Sequence, residues 1–216
     1  TMHPDIKKYI PIARMIGDTF GTHCEVILHD FSNPQNSVVY TRNNTVTNRQ
    51  VGESFTEYFV KEVLLSRKFE DDCSVNYMMT GSSGQTVKSS TALIRDSGGK
   101  VIGALCVNID VTCLSSVLSQ LSELMGMEPP SLALEKEVEV RPHVKEIVDD
   151  IIDQTIGSQD VELLSREQKI ELIRFMNAKG IFLIKGATDK VADRMNISKV
   201  TVYSYLDEIK KGKKEA

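Results

Sequence analysis

Lys199, Val200, Thr201, Tyr203 and Ser204 fall within one short stretch. Thr and Ser hydroxyls hydrogen-bond base edges or phosphate, Lys reaches phosphate or guanine, and an aliphatic side chain can touch a thymine methyl. Such a set reads DNA only if one rigid element presents it, and the flanking residues supply that element. Val202, Tyr205, Leu206 and Ile209 form an apolar stripe at helical spacing, so the polar set lies off the packed side. Ser198 is a natural N-cap for this helix. Upstream, Val191, Ala192 and Met195 mark a shorter helix with a small residue where a second helix can cross closely. Asn196 can end it in the left-handed conformation. Residues 188–210 therefore predict a helix-turn-helix, whose second helix enters the major groove, with Lys190, Arg194 and Lys210 as positioning charges.

A two-helix corner in any small bundle shares that pattern, and charge argues between the two readings. Residues 179–214 carry nine Lys or Arg against four Asp or Glu, while residues 1–178 carry seventeen against twenty-five. A basic module on an acidic body is expected where one end meets phosphate. The composition, 41% hydrophobic and 26% charged over 216 residues, suits one large domain or two small ones in a soluble protein. No run approaches the roughly 20 apolar residues that span a bilayer, and the N-terminus has no signal-peptide core, so a cytoplasmic location is expected. Cys24, Cys73, Cys106 and Cys113 show no CxxC spacing, which favours reduced thiols over disulfides or a redox switch.

Catalytic constellations are scarce, and no enzyme activity, metal or cofactor is expected. His3, His23, His29 and His143 lack HExxH or paired-ligand spacing. The GSSGQ loop at 81–85 lacks the phosphate-loop signature, Cys106 lies in an apolar strand, and FEDDC at 69–73 reads as a solvated acidic turn. His29 beside Asp30 could be a base with its orienter, but reads more simply as a satisfied strand-edge residue.

The elements follow in order. Residues 4–20 read as an amphipathic helix, kinked or divided by Pro11. Strands are expected at Cys24–Asp30, Ser37–Arg42, Val75–Thr80, Thr86–Arg95 and Lys100–Asp110, with hairpin turns at 81–85 and 96–99. A helix is expected to open at Gly52-Glu53-Ser54 and run to about Ser66. Thr112–Met125 is a helix with Leu114, Val117, Leu118, Leu121, Leu124 and Met125 on one side. It either packs on its own sheet or leaves it to form a dimer. Residues 127–142 read as a linker, Pro142–Ile156 as a helix, and Ser165 with Gln168 as the capping box of another that Gly180 ends.

Residues 180–209, GIFLIKGATDKVADRMNISKVTVYSYLDEI, resemble the C-terminal helix-turn-helix of the YheO/DauR family of bacterial transcriptional regulators. CEVILHDF at 24–31 and SSTALIRDSGGKVIGALCVNIDVT at 89–112 resemble that family's PAS-like N-terminal domain. The resemblance implies an α+β chain: a PAS-like antiparallel sheet with flanking helices over 1–126, the linker, then an all-α DNA-binding domain over 143–216. It implies a homodimer on double-stranded DNA and a small-molecule effector at the sensor. His29, Asp30, Ser90, Thr91, Asn108 and Asp110 are then the candidate effector contacts, because they lie on segments that line a PAS cavity. Relatives commonly carry a basic residue where this chain has Ser204, so their operator does not transfer. The competing reading is a ligand-binding module that signals through protein partners, with a purely structural helix-turn-helix.

Overall fold

The computed structural model describes residues 2–81, 83–128, 142–157 and 161–212. Most of the expected linker and the tail Lys213 and Lys214 lie outside the described residues. The chain divides into two compact units. The first takes the described residues of Thr1–Asp30, Asn36–Glu53 and Lys68–Glu137, and the second those of Phe31–Gln35, Ser54–Arg67 and Val138–Ala216.

Five antiparallel strands build the first unit: β1 Cys24–Asp30, β2 Val38–Arg42, β3 Cys73–Thr80, β4 Thr86–Arg95 and β5 Val101–Asp110, in the spatial order β2-β1-β5-β4-β3. This is a PAS-like sheet, as expected. Side chains alternate across it, so the pairing register assigns each residue to a face. One face carries Cys24, Val26, Leu28, Ile94 and Leu105 and is covered by the N-terminal segment through Ile6 and Ala13. That segment is two helices, α1 Pro4–Lys7 and α2 Ile10–Phe20. The break falls before Pro11, which sits in the first turn of α2, where its missing N–H leaves no hydrogen bond unmade. The opposite face is more polar, and the loop after β2 folds over it.

The helix expected to open at Gly52 begins later. The Gly52 N–H donates to the Val38 carbonyl and the Val38 N–H to the Glu53 carbonyl, so these two residues extend the edge of β2. Backbone pairing at a sheet edge prevails there over local helical spacing. In the second unit the Thr56 hydroxyl accepts the Phe59 N–H, and Phe59–Leu65 winds as a single π-helical stretch. Strand β3 also starts two residues earlier than expected, at Cys73.

Helix α3, Thr112–Leu124, returns from β5 toward β4: the Thr86 N–H donates to the Thr112 hydroxyl and the Val111 N–H to the Thr86 carbonyl. The second unit contains α4 Pro142–Ile156, α5 Arg166–Ala178, α6 Ala187–Arg194 and α7 Lys199–Gly212. Their buried core joins Ile147, Ile151 and Ile152 to Ile173 and Met176, to Val191 and Met195, and to Val202, Leu206 and Ile209. The capping box at Ser165 is complete in both directions. Gly180 adopts a left-handed φ of 73° as α5 ends, a conformation that costs glycine little.

Candidate nucleic-acid interface and effector site

The corner between α6 and α7 is made by local chemistry. Asn196 takes a left-handed φ of 49° and ends α6. The Ser198 hydroxyl accepts the Thr201 N–H at 3.0 Å and caps α7. Val202, Leu206 and Ile209 are buried and fix the rotation of α7, so Val200, Tyr203 and Ser204 face outward at spacings of three and four residues. Val200 is 77% exposed and Tyr203 56%. Tyr205 is half-buried beneath the Arg166 guanidinium, 5.3 Å from its ring centre.

The expected contacts divide by what they already touch. The Thr201 hydroxyl lies 2.8 Å from that of Ser198, so it belongs first to the cap. Lys199 pairs with Asp189 across the turn at 2.5 Å, which raises the lysine pKa. Lys190 and Arg194 both reach Asp153 of α4, at 3.2 and 2.7 Å, and tie α6 to that helix. Lys210 is exposed, 4.0 Å from Asp207. Exposed ion pairs are weak and exchange partners readily, so these cations remain available to phosphate.

The six expected effector contacts do not share one face. His29, Thr91, Asn108 and Asp110 lie on the polar side of the sheet, whereas Asp30 and Ser90 fall on the other. A carboxylate oxygen of Asp30 accepts the His3 N–H at 2.7 Å, and Ser90 accepts the Asn76 N–H. Those two cannot line a common pocket with the rest, because a one-residue step along a strand reverses the side chain. Asp110, at the sheet margin, accepts the backbone N–H and hydroxyl of Thr112 and anchors the start of α3, which lowers its pKa.

The polar face gathers residues that spacing alone does not single out. Glu25 is opposite Asn108, which is opposite Ser89, which is opposite Tyr77. In the next row Ile27, Cys106, Thr91 and Ser74 align. The Ser89 hydroxyl donates to Asn108 Oδ1 at 2.9 Å, and the hydroxyls of Tyr77 and Thr91 are 2.8 Å apart. His29 Nδ1 lies 3.1 Å from the Ser37 hydroxyl. Burial, with Arg49 nearby, pushes the His29 pKa down to about 3, so the ring is neutral at ordinary pH. Burial pushes the Cys106 thiol up to about 12, which leaves it protonated and unreactive. The signal in the sequence was a glutamate near the start of a strand otherwise rich in β-formers, and the Ser89-Thr91 alternation. Among the described residues no group of three or more His, Cys, Asp and Glu is arranged to hold a metal.

The family model for the YheO-like PAS domain matches residues 1–126, and one for an HTH domain matches residues 147–207. This chain belongs to the YheO-like PAS family. The YheO-like chain is 29% identical to YheO of Escherichia coli K12 over 209 residues, covering 96% of this chain and 85% of that one. It is 28% identical to the transcriptional regulator DauR of Pseudomonas aeruginosa over 211 residues, covering 97% and 96% respectively. Similar solved structures include the PAS domain of Bordetella pertussis BvgS, with TM-score 0.32 and 15% identity over 54% of this chain and 97% of that one. Another is the phage VqmA–DPO complex, with TM-score 0.37 and 12% identity over 95% and 91%. No described helix of the YheO-like chain is long and apolar enough to cross a membrane.

Proposed function

We propose that this YheO-like protein is a sequence-specific DNA-binding transcriptional regulator whose PAS-like unit receives a small-molecule signal. The observation that carries the reading is the first two turns of α7, capped by Ser198, packed behind by Val202 and Leu206, and offering Val200, Tyr203 and Ser204 outward. That is the geometry with which a recognition helix meets base edges. The match to a helix-turn-helix family and the likeness to DauR, a transcriptional regulator, support it. A buried polar face in the sensor sheet suits an effector, and a cytoplasmic location fits a regulator of this kind.

The regulator is a homodimer, because one recognition helix reads only a few base pairs and paired half-sites supply specificity. Helix α3 supports this by its inverted amphipathicity. Ser122 is its buried side chain and Ser115 is half-buried, while Leu114, Val117, Leu118, Leu121 and Leu124 are exposed, Leu114 by 68% and Leu124 by 85%. A row of leucines at coiled-coil spacing is left for a second copy of α3.

The test is recovery of genomic fragments by the full-length protein and by the variant V200A/Y203A/S204A. Wild type should enrich a shared, roughly palindromic motif, and the triple variant should retain its fold and lose that preference. Equal enrichment by both would remove α7 as the reading element.

A further inference from the structure

The polar face of the sheet contains one group that the protein's own hydrogen bonds leave incomplete. Glu25 is fully buried, at 0% exposure, and is the second residue of β1. Three donors converge on a single oxygen, Oε2: the Thr47 hydroxyl at 2.5 Å, the Thr47 N–H at 3.1 Å and the Asn108 side-chain N–H at 3.3 Å. The second oxygen, Oε1, is buried and has no hydrogen-bond partner. Among the described buried side-chain nitrogens and oxygens, it alone is in that condition.

The asymmetry has a direction. Asn108 is itself oriented by the Ser89 hydroxyl, and Thr47 is held on the loop that folds over this face, where Gln85 donates to the Val46 carbonyl. The carboxyl group is therefore locked with one oxygen saturated and the other aimed away from its donors. A side chain buried for packing alone would share its donors between both oxygens, since an unpaired buried acceptor is costly. No Lys or Arg nitrogen among the described residues hydrogen-bonds Glu25 Oε1, and His29 on the same face is neutral, with the Arg49 charge near it. The missing donor is supplied by a guest that carries a cationic N–H group.

We infer that this face is a binding site for a small organic cation, whose N–H group donates to Glu25 Oε1, with Ser89, Thr91 and Asn108 as its polar surroundings. The inference rests on the reading that the PAS-like unit receives a small-molecule signal, and names the chemical class. Glu25 supplies the charge contact, and Thr47 and Asn108 act as positioning residues.

The experiment uses the full-length protein and n-butylammonium as probe, with n-butanol and butyrate as neutral and anionic controls. Binding is read by calorimetry, and the Glu25 carboxyl carbon is followed by NMR after 13C-glutamate labelling. Butylammonium should bind, move the Glu25 resonance and outbind both controls. Glu25→Gln, which keeps the shape, should weaken it about ten- to hundredfold, the range for a hydrogen bond to a charged group. An unmoved Glu25 resonance in the wild type overturns the assignment without relying on any variant. So does butanol binding as tightly as butylammonium, or undiminished affinity in a folded Glu25→Gln protein. Operator binding by the untreated protein is measured alongside. If that persists while butylammonium fails, the cation assignment falls and the regulator stands; if operator binding is absent at low salt, the regulator reading falls and the calorimetric result stands alone.

Discussion

His29 shows how one side chain can write a pH dependence into the fold. Its ring sits in β1 against Ser37, and burial with the Arg49 charge lowers its pKa from 6.5 to about 3. Above pH 6.5 the ring is neutral in the folded and unfolded chain, and its contribution is fully present. As the pH falls from 6.5 toward about 3, the unfolded chain binds a proton that the folded protein refuses. Stability should then drop by about 1.4 kcal/mol per pH unit from this group. Denaturant midpoints measured from pH 7 to 4.5 should fall more steeply for wild type than for His29→Gln, and parallel profiles would remove His29 as the cause. Ser198 is the matching case in the second unit. Ser198→Ala removes the acceptor of the Thr201 N–H and should cost about 1 kcal/mol, read as a lower denaturant midpoint of the helical unit.

Among the elements, β5 and α3 carry the sharpest consequences. A Cβ at Gly103 would run into the His29 carbonyl oxygen and the Ile6 side chain, so β5 approaches β1 and α1 more closely than an alanine allows. A backbone atom cannot swing aside, and Gly103→Ala should destabilise by roughly 1–3 kcal/mol, the range for overpacking a core. A melting temperature equal to wild type would show that the sheet yields instead. Helix α3 makes a different prediction, because among the described residues its apolar row stays exposed. Leu114→Glu with Leu121→Glu should leave the far-UV circular dichroism unchanged and convert a dimer to a monomer in light scattering. A dimer that persists would place the interface elsewhere.

For the whole molecule, two classes of residue on the helical unit separate under salt. If Lys199, paired in the free protein only with Asp189 at the surface, meets phosphate, Lys199→Ala should weaken DNA binding uniformly and make the slope of log affinity against log salt shallower by about 1. V200A/Y203A/S204A should leave that slope in place and erase the difference between operator and random DNA. A titration over several salt concentrations distinguishes the two, and a shallower slope in the triple variant would contradict the division. The same partition follows from the folded charge pattern. Lys190 and Arg194 are tied to Asp153, so the basic excess counted along the sequence is partly balanced within the unit itself.

The amino-acid sequence by itself determined the elements whose causes are local. The five strands, the capping box at Ser165, the turn at Asn196 and the Ser198 cap each depend on residues within a few positions of one another. So does the outward row of α7, because helical periodicity assigns its faces without reference to anything else. The polar face of the sheet was decided only by tertiary structure. Which side of a strand points at a ligand depends on register with β5, and register joins residues as far apart as Glu25 and Asn108. Asp30 and Ser90 looked equivalent to His29 and Thr91 along the chain, yet pleating sends each to the opposite face. The late start of the helix after Gly52 has the same origin, since its backbone partners belong to β2. Glu25 gained its significance only when Thr47, Asn108 and Ser89 closed around it, because an unsatisfied oxygen is defined by every group that could have reached it and does not.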